Sequence, residues 1–245
     1  MGLRYHSKGE FRKRGNWVWF LWKVEVLKIT YLPTIYPQKK SDRESGSASR
    51  MRTITREAAH KGIWDVVVAK EVKELFDEKA SDWSTTRNVP SRGVPVEDAL
   101  ERGQVYGERV VDLGAGTGLA TQILINKFKN VVALDISKEM IRNSVTSKTP
   151  QICADGYSLP FPNNSVDVFL AMNMILFPDE IERCLKNEGF LVWISSRGPE
   201  TPIYLPPEEV IDLMSANSGV SWSGVSAHAL EGTWLVAKRL VTMQR

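Results

Sequence analysis

The stretch VVDLGAGTGLATQIL, Val110 to Leu124, runs from an apolar segment through three glycines into an apolar helical pattern. A strand that passes at once through a glycine turn into a helix is the building unit of a parallel sheet, because bare backbone can reverse onto the sheet where a side chain would collide. The chain beyond it keeps alternating. ERVVDLG (108–114), NVVALDI (130–136), QICADG (151–156), SVDVFLAMN (165–173) and GFLVWISS (189–196) read as strands. LATQILINKF (119–128), SKEMIRNSV (137–145, capped by Ser137) and PDEIERCLK (178–186) read as helices. Strands this continuously apolar need cover on both faces, so the pattern predicts an α/β fold with a doubly wound, mostly parallel sheet. PPEEVIDLMSAN (206–217) predicts one more helix. WSGVSAHALEGTWLVAKRL (222–240) predicts two strands about Glu231-Gly232, an antiparallel C-terminal hairpin at the sheet edge.

Upstream, IWDVVVAKEVKELFDEK (63–79) carries Val68, Val72, Leu75 and Phe76 at helical spacing, STTRNVPSRG (84–93) breaks it, and Val96 to Arg102 forms a second helix entered through Pro95. These two predict an N-terminal helical cap at about 63–102 of a domain spanning 51–245. Residues 38–50, QKKSDRESGSASR, have the composition of a linker. Residues 1–50 hold eleven Lys/Arg against four Asp/Glu, so the net charge of +3 belongs to this segment and the remainder is mildly acidic. That balance leaves no basic stripe for nucleic acid. The segment reads as a disordered or non-native extension ahead of Met51; a surface-docking arm built on Trp17, Trp19 and Trp22 is the competing reading. WVWFLWKVEVLKIT is broken by Lys23, Glu25 and Lys28, well short of the ~18–20 apolar residues of a membrane span. A stable membrane anchor is therefore not expected, and a cytoplasmic location is. Cys153 and Cys184 are too far apart for a CxxC pair and read as reduced packing residues. No His/Cys/carboxylate cluster has metal-ligand spacing, so no metal is expected.

In an open α/β sheet ligands sit beyond the carboxyl ends of the strands. Gly114 and Gly116, with Ala115 between them, can lie bare against a ligand, and Gly118 lets the next helix pack closely. The spacing is G-x-G-x-G, where a dinucleotide turn wants G-x-G-x-x-G. Asp112, two residues before the first glycine, opposes pyrophosphate and attracts an ammonium. Asp135, about 20 residues on, accepts from ribose hydroxyls or caps the helix at Ser137. Asp155 accepts from an adenine amino group while the Gly156 amide donates to the ring, or the pair is only a turn. Ile136 offers an apolar stacking face.

An amino-acid end, a ribose and an adenine without a phosphate site make one ligand. VVDLGAGTG, VVALDISKEM, ADGYSLPFPNNSVDVF and LKNEGFLVWIS resemble the class I S-adenosylmethionine-dependent methyltransferases over about Leu75 to Arg239, closest to the small-molecule branch typified by ubiquinone and menaquinone methyltransferases. The resemblance implies a Rossmann-like methyltransferase fold, S-adenosyl-L-methionine as cofactor and a small-molecule acceptor. Asp112 and the glycines would hold the methionine portion, Asp135 the ribose, and Asp155 with Gly156 the adenine. Asn173 would lie at the floor near the donor methyl, and Phe76, Trp83 and Arg87 would close over the donor, Trp83 reading equally well as core. No Asn-Pro-Pro-Tyr-like segment follows the fourth strand, which removes support for amide or base-amino methylation, and LKNEG stands where the family has LKPGG. No catalytic base is legible: His60 and His228 read as surface or packing residues. Arg197 and Tyr204, after the fifth strand, either orient an anionic or phenolic acceptor or sit in solvent. The rival functions are a non-catalytic donor-binding regulator and, against the glycine spacing, a nicotinamide-dependent oxidoreductase.

Overall fold

The computed structural model describes residues 29–36, 46–87, 89–146, 148–216 and 220–240. Among them eight strands form one sheet: β1 (Ile29–Tyr31), β2 (Arg109–Leu113), β3 (Asn130–Asp135), β4 (Gln151–Cys153), β5 (Val166–Met172), β6 (Leu185–Ser195), β7 (Trp222–Ala229) and β8 (Gly232–Arg239). Their order is β1-β7-β8-β6-β5-β2-β3-β4. β4, β3, β2, β5 and β6 are parallel neighbours, and β8 runs antiparallel to both β6 and β7. The expected doubly wound sheet and C-terminal hairpin are both present. The hairpin is not at the edge, however: β1 pairs in parallel with β7 outside it, Ile29 opposite Gly224.

Among the described residues seven α-helices accompany the sheet: α1 (Gly46–Lys61), α2 (Val66–Arg87), α3 (Val94–Arg102), α4 (Leu119–Lys127), α5 (Lys138–Arg142), α6 (Pro178–Cys184) and α7 (Pro207–Ala216). Strand side chains alternate between two cores, as a period of two requires. Val111, Leu113, Phe169, Leu191 and Trp193 face Ile181 of α6 and Val210, Ile211 and Met214 of α7. Val110, Val131, Val168, Leu170 and Val192 face Val96, Ala99 and Leu100 of α3 and Leu124 of α4.

A third cluster, Met51, Ile54, Ala58, Trp64 and Val72 with Ile175, Phe177 and Ile203, joins α1 and α2 to the loops at the strand ends. The cap is therefore α1 with α2. α3, expected to be part of it, packs on the sheet instead, where Arg102 and the Trp234 indole N–H both donate to the buried Asp98 carboxylate. The reading of residues 1–50 also needs correction, since 29–31 are a sheet strand with Ile29 buried and 46–50 open α1. Trp17–Trp22 and 38–45 lie outside the described residues. α2 is fixed at its middle by Asp77 Oδ1, which accepts from the Ser137 hydroxyl over 2.6 Å at the start of α5. Ser137 Oγ in turn caps α5 by accepting from the Met140 N–H, as its sequence position predicts.

Candidate functional site

β2 is the point at which strand order reverses, β3 and β4 lying to one side and β5 and β6 to the other. A cavity of about 240 Å³ opens there, beyond the carboxyl ends of the parallel strands and beneath α1 and α2. This is where an open α/β sheet leaves room for a ligand.

The glycine turn forms its base. Gly114, Gly116 and Gly118 have φ of +72°, +56° and +93°, a region that side chains other than Asn and Asp seldom occupy. Gly114 and Ala115 donate their N–H groups to Leu134 O, which pins the turn to the end of β3. A Cβ at Gly114 would lie 2.6 Å from Met174 Sδ, and one at Gly118 would lie 2.8 Å from Thr146 Oγ1. Those two glycines allow packing. At Gly116 the nearest atom to such a Cβ is Trp83 Nε1 at 3.6 Å. Gly114, Ala115 and Gly116 line the cavity; Gly118 caps α4 away from it.

Asp135 lines the cavity from the end of β3. Its Oδ2 accepts from the Gly116 N–H over 2.7 Å and its Oδ1 from the Ser137 N–H over 2.8 Å. Burial pushes its carboxyl up to about 6, against those two bonds, which favour the ionised form. Ile136 beside it contributes the expected apolar surface.

Asp155 and Gly156 line the cavity beyond β4, and Asp155 is already engaged. Oδ2 accepts from the Trp64 indole N–H over 2.8 Å and Oδ1 from the Tyr157 N–H over 2.9 Å. Trp64 also packs edge-on against Phe177, ring centroids 5.0 Å apart. A Cβ at Gly156 would lie 2.8 Å from Met174 Cε, so Met174 bridges the two glycine positions Gly114 and Gly156.

Asn173, in left-handed conformation at φ +53° just past β5, lines the cavity. Its amide clasps Ser196: Nδ2 donates to Ser196 Oγ and Oδ1 accepts from the Ser196 N–H, each over 2.9 Å.

Asp112 is different. Strand alternation turns it toward α4, where Thr121 Oγ1 donates to its Oδ2 over 2.6 Å, and it does not line the cavity. It is 1% exposed, its Oδ1 has no partner, and burial raises its carboxyl to about 7. The geometry gives it no direct hold on an ammonium; it ties the end of β2 to α4.

Phe76 and Trp83 line the cavity from α2, their rings edge-on at 5.7 Å. The Arg87 side chain lies outside the described residues. Arg197 lines the cavity and Tyr204 does not, burial near Glu208 and Glu209 raising the Tyr204 hydroxyl instead. His60 meets Glu209 and His228 is exposed on β7, so neither reaches the site. Cys184 is buried as expected, whereas Cys153 is exposed on the edge strand β4. Lys79 and Arg92 also line the cavity and escaped the sequence reading. A signal for Lys79 existed: Val72, Leu75, Phe76, Lys79 and Trp83 follow helical spacing along one stripe of α2.

Residues 111–193 match the family described as "Methyltransferase domain". A demethylmenaquinone methyltransferase of Corynebacterium urealyticum is 36% identical over 105 residues, 40% of this chain and 44% of that protein. A malonyl-[acyl-carrier protein] O-methyltransferase of Halorhodospira halophila is 31% identical over 148 residues, 53% of this chain and 49% of that protein. The chain thus spans about half the length of these relatives. The solved DhpI–S-adenosylhomocysteine complex superposes with a TM-score of 0.58 at 17% identity, over 71% of this chain and 98% of that one. The fold is the Rossmann-like methyltransferase fold.

Proposed function

We propose that this chain, whose residues 111–193 match a methyltransferase domain, transfers a methyl group from S-adenosylmethionine to a small-molecule acceptor. The observation that carries the reading is the bare backbone of Gly116 in the cavity wall: a Cβ there would meet nothing nearer than Trp83 Nε1 at 3.6 Å, while Asp135 and Asp155 stand at the two strand ends to one side. These residues suit the donor. The glycine turn accommodates its amino-acid end, Asp135 has lone pairs beyond those its backbone bonds use for ribose hydroxyls, and Ile136 and Gly156 flank the place of the adenine. The relatives' names support a small acceptor, one a quinone precursor and one a carrier-bound acid.

Bound S-adenosylmethionine supplies a methyl group already activated by the sulfonium charge. What remains for the protein is alignment and exclusion of water, because displacement needs the acceptor atom about 3–3.5 Å from the methyl carbon and in line with sulfur. The Asn173–Ser196 clasp fixes the floor between β5 and β6. Trp64, Phe76 and Trp83 from the cap shield the cavity with apolar surface.

The test is thermal unfolding of the protein alone, with S-adenosylhomocysteine and with NAD, followed by isotope transfer from labelled donor. A ligand at a hundred times its Kd adds ~2.7 kcal/mol, about 5–10 °C at this size. A shift with S-adenosylhomocysteine alone is expected. A shift with NAD instead would overturn the reading.

A further inference from the structure

Residues 1–28 lie outside the described residues, and their sequence admits two readings: a non-native extension, or a docking arm built on Trp17, Trp19 and Trp22. The first described residues bear on that choice. Ile29–Tyr31 pairs with β7, the Leu32 N–H donates to Ser226 O over 2.8 Å, and Leu32 and Tyr36 pack against the core that holds Val96, Ala99 and Leu100 of α3. Arg102 Nη1 donates to Pro33 O over 2.8 Å, and the Tyr31 hydroxyl meets Glu208 at the start of α7. Chain ahead of Met51 is therefore fitted to the sheet and to two helices, which favours the arm. Lys28 is joined directly to the buried Ile29, so Trp22 stays within about 25 Å of the edge of the sheet.

The arm is unlike the domain that carries it. Residues 1–28 hold seven Lys/Arg against two Asp/Glu, while residues 29–245 hold 25 against 27. The basic residues flank an apolar run: Arg12, Lys13 and Arg14 precede Trp17–Trp22, and Lys23 and Lys28 follow it. Three of the eight tryptophans fall in that run, whereas Trp64, Trp193, Trp222 and Trp234 are buried in the fold and Trp83 is half-buried. Six apolar residues are far too few to cross a bilayer. Tryptophan beside lysine and arginine is instead the composition that settles at the headgroup level, where the indole keeps its body in apolar surroundings and its N–H in water. Clustered basic residues are drawn there by anionic lipid. Tyr31 and Ile35, 51% and 59% exposed just after the arm, extend the apolar surface along the chain.

We propose that residues 11–28 are a reversible membrane-surface contact, with Trp17, Trp19 and Trp22 entering the interface of an anionic bilayer and Arg12, Lys13 and Arg14 pairing with its headgroups. β1 runs parallel to β7, and both β6 and β7 run antiparallel to β8, so β1 points the same way as the strands whose carboxyl ends face the cavity. The arm joins β1 at the other end. Contact through it attaches the domain from the side of the sheet away from the cavity.

The experiment is co-sedimentation of the full chain with vesicles of phosphatidylcholine alone and of phosphatidylcholine mixed with phosphatidylglycerol, at low and at high salt. Binding at low salt is expected to be about tenfold or more stronger on the anionic vesicles and to weaken as salt screens the basic cluster. Tryptophan emission should shift to the blue on binding, since the other five indoles are already enclosed or half-enclosed. A Trp17→Ser, Trp19→Ser, Trp22→Ser triple variant should lose most of the binding and the whole spectral shift, and an Arg12→Gln, Lys13→Gln, Arg14→Gln variant should lose the preference for anionic lipid. Circular dichroism should show both variants folded, because neither changes a residue of the sheet. Equal or absent binding to the two vesicle types overturns the proposal, as would follow if the arm lay on the exposed acidic residues Glu71, Glu74 and Glu78 of its own α2. So does vesicle binding that the triple tryptophan variant keeps in full.

Discussion

The indole N–H of Trp64, in the link between α1 and α2, donates to Asp155 Oδ2 beyond β4 over 2.8 Å, so the cap and the turn after β4 share a hydrogen bond. Trp64→Phe keeps a ring against Phe177 and removes that bond. A hydrogen bond to a charged group contributes roughly 1.5–3 kcal/mol, so Tm should fall by about 3–10 °C. An unchanged melting curve would show that the bond does not hold the cap.

Gly116→Val places a branched side chain at φ +56°, in the cavity wall. The left-handed backbone costs a β-branched residue roughly 1–2 kcal/mol, which a domain of this size tolerates. Circular dichroism should show a folded protein and titration no measurable S-adenosylhomocysteine binding. Binding within threefold of the parent would remove the glycine turn from the site.

Asp135→Asn leaves one amide oxygen where two carboxylate oxygens accept from Gly116 and Ser137. The variant should fold, with Tm lowered by a few degrees, and its Kd for S-adenosylhomocysteine should rise about tenfold, equivalent to ~1.4 kcal/mol. The readout is the Kd, measured at pH 8, where the parent carboxyl is ionised.

Asp112 gives a pH signature. Folding lifts its carboxyl from 3.8 to about 7, so the folded chain holds this proton more tightly than the unfolded one. The stability that results is complete below about pH 4 and is lost as pH rises through about 7. An amide in place of the carboxyl, as in Asp112→Asn, does not titrate and carries no such dependence. The Tm of that variant relative to the parent should therefore improve between pH 5 and pH 8, and a difference that stays flat or worsens with pH would contradict a buried, protonated Asp112.

Removing residues 1–36 strips β1 from the outer side of β7 and takes no cavity-lining residue with it. An uncovered strand edge invites pairing between chains. The truncated chain should bind S-adenosylhomocysteine as before and show a concentration-dependent increase in size by analytical ultracentrifugation. Loss of binding would tie the strand to the site.

That Gly114, Gly116, Asp135, Ile136, Asp155, Gly156 and Asn173 meet at one cavity was legible because each lies at or just past the carboxyl end of a strand. Asp112 misled for a reason of the same kind: sequence marks where a strand ends, and whether a residue near that end faces the ligand or the next helix depends on the pleat. Trp64 was hidden because its partner Asp155 is far along the chain, joined to it only by packing. Asp77 reads as one more charge on an amphipathic helix until the start of α5 is placed beside it. β1 escaped because three residues, Ile29–Tyr31, carry no alternation long enough to separate strand from loop. Arg197 and Tyr204 stand in one loop, and only its path divides the residue that enters the cavity from the one that does not.

Ile29 pairs with Gly224, so every other strand but the last lies between the two partners in sequence. The contacts of β1 close the longest loop in the domain, whereas β2, β3 and β4 pair with near neighbours. During synthesis the segment that emerges first of the eight described strands must stay unpaired until β7 has followed it. The first of these strands to be translated thus depends on one of the last, and a truncation late in the message leaves it without its place.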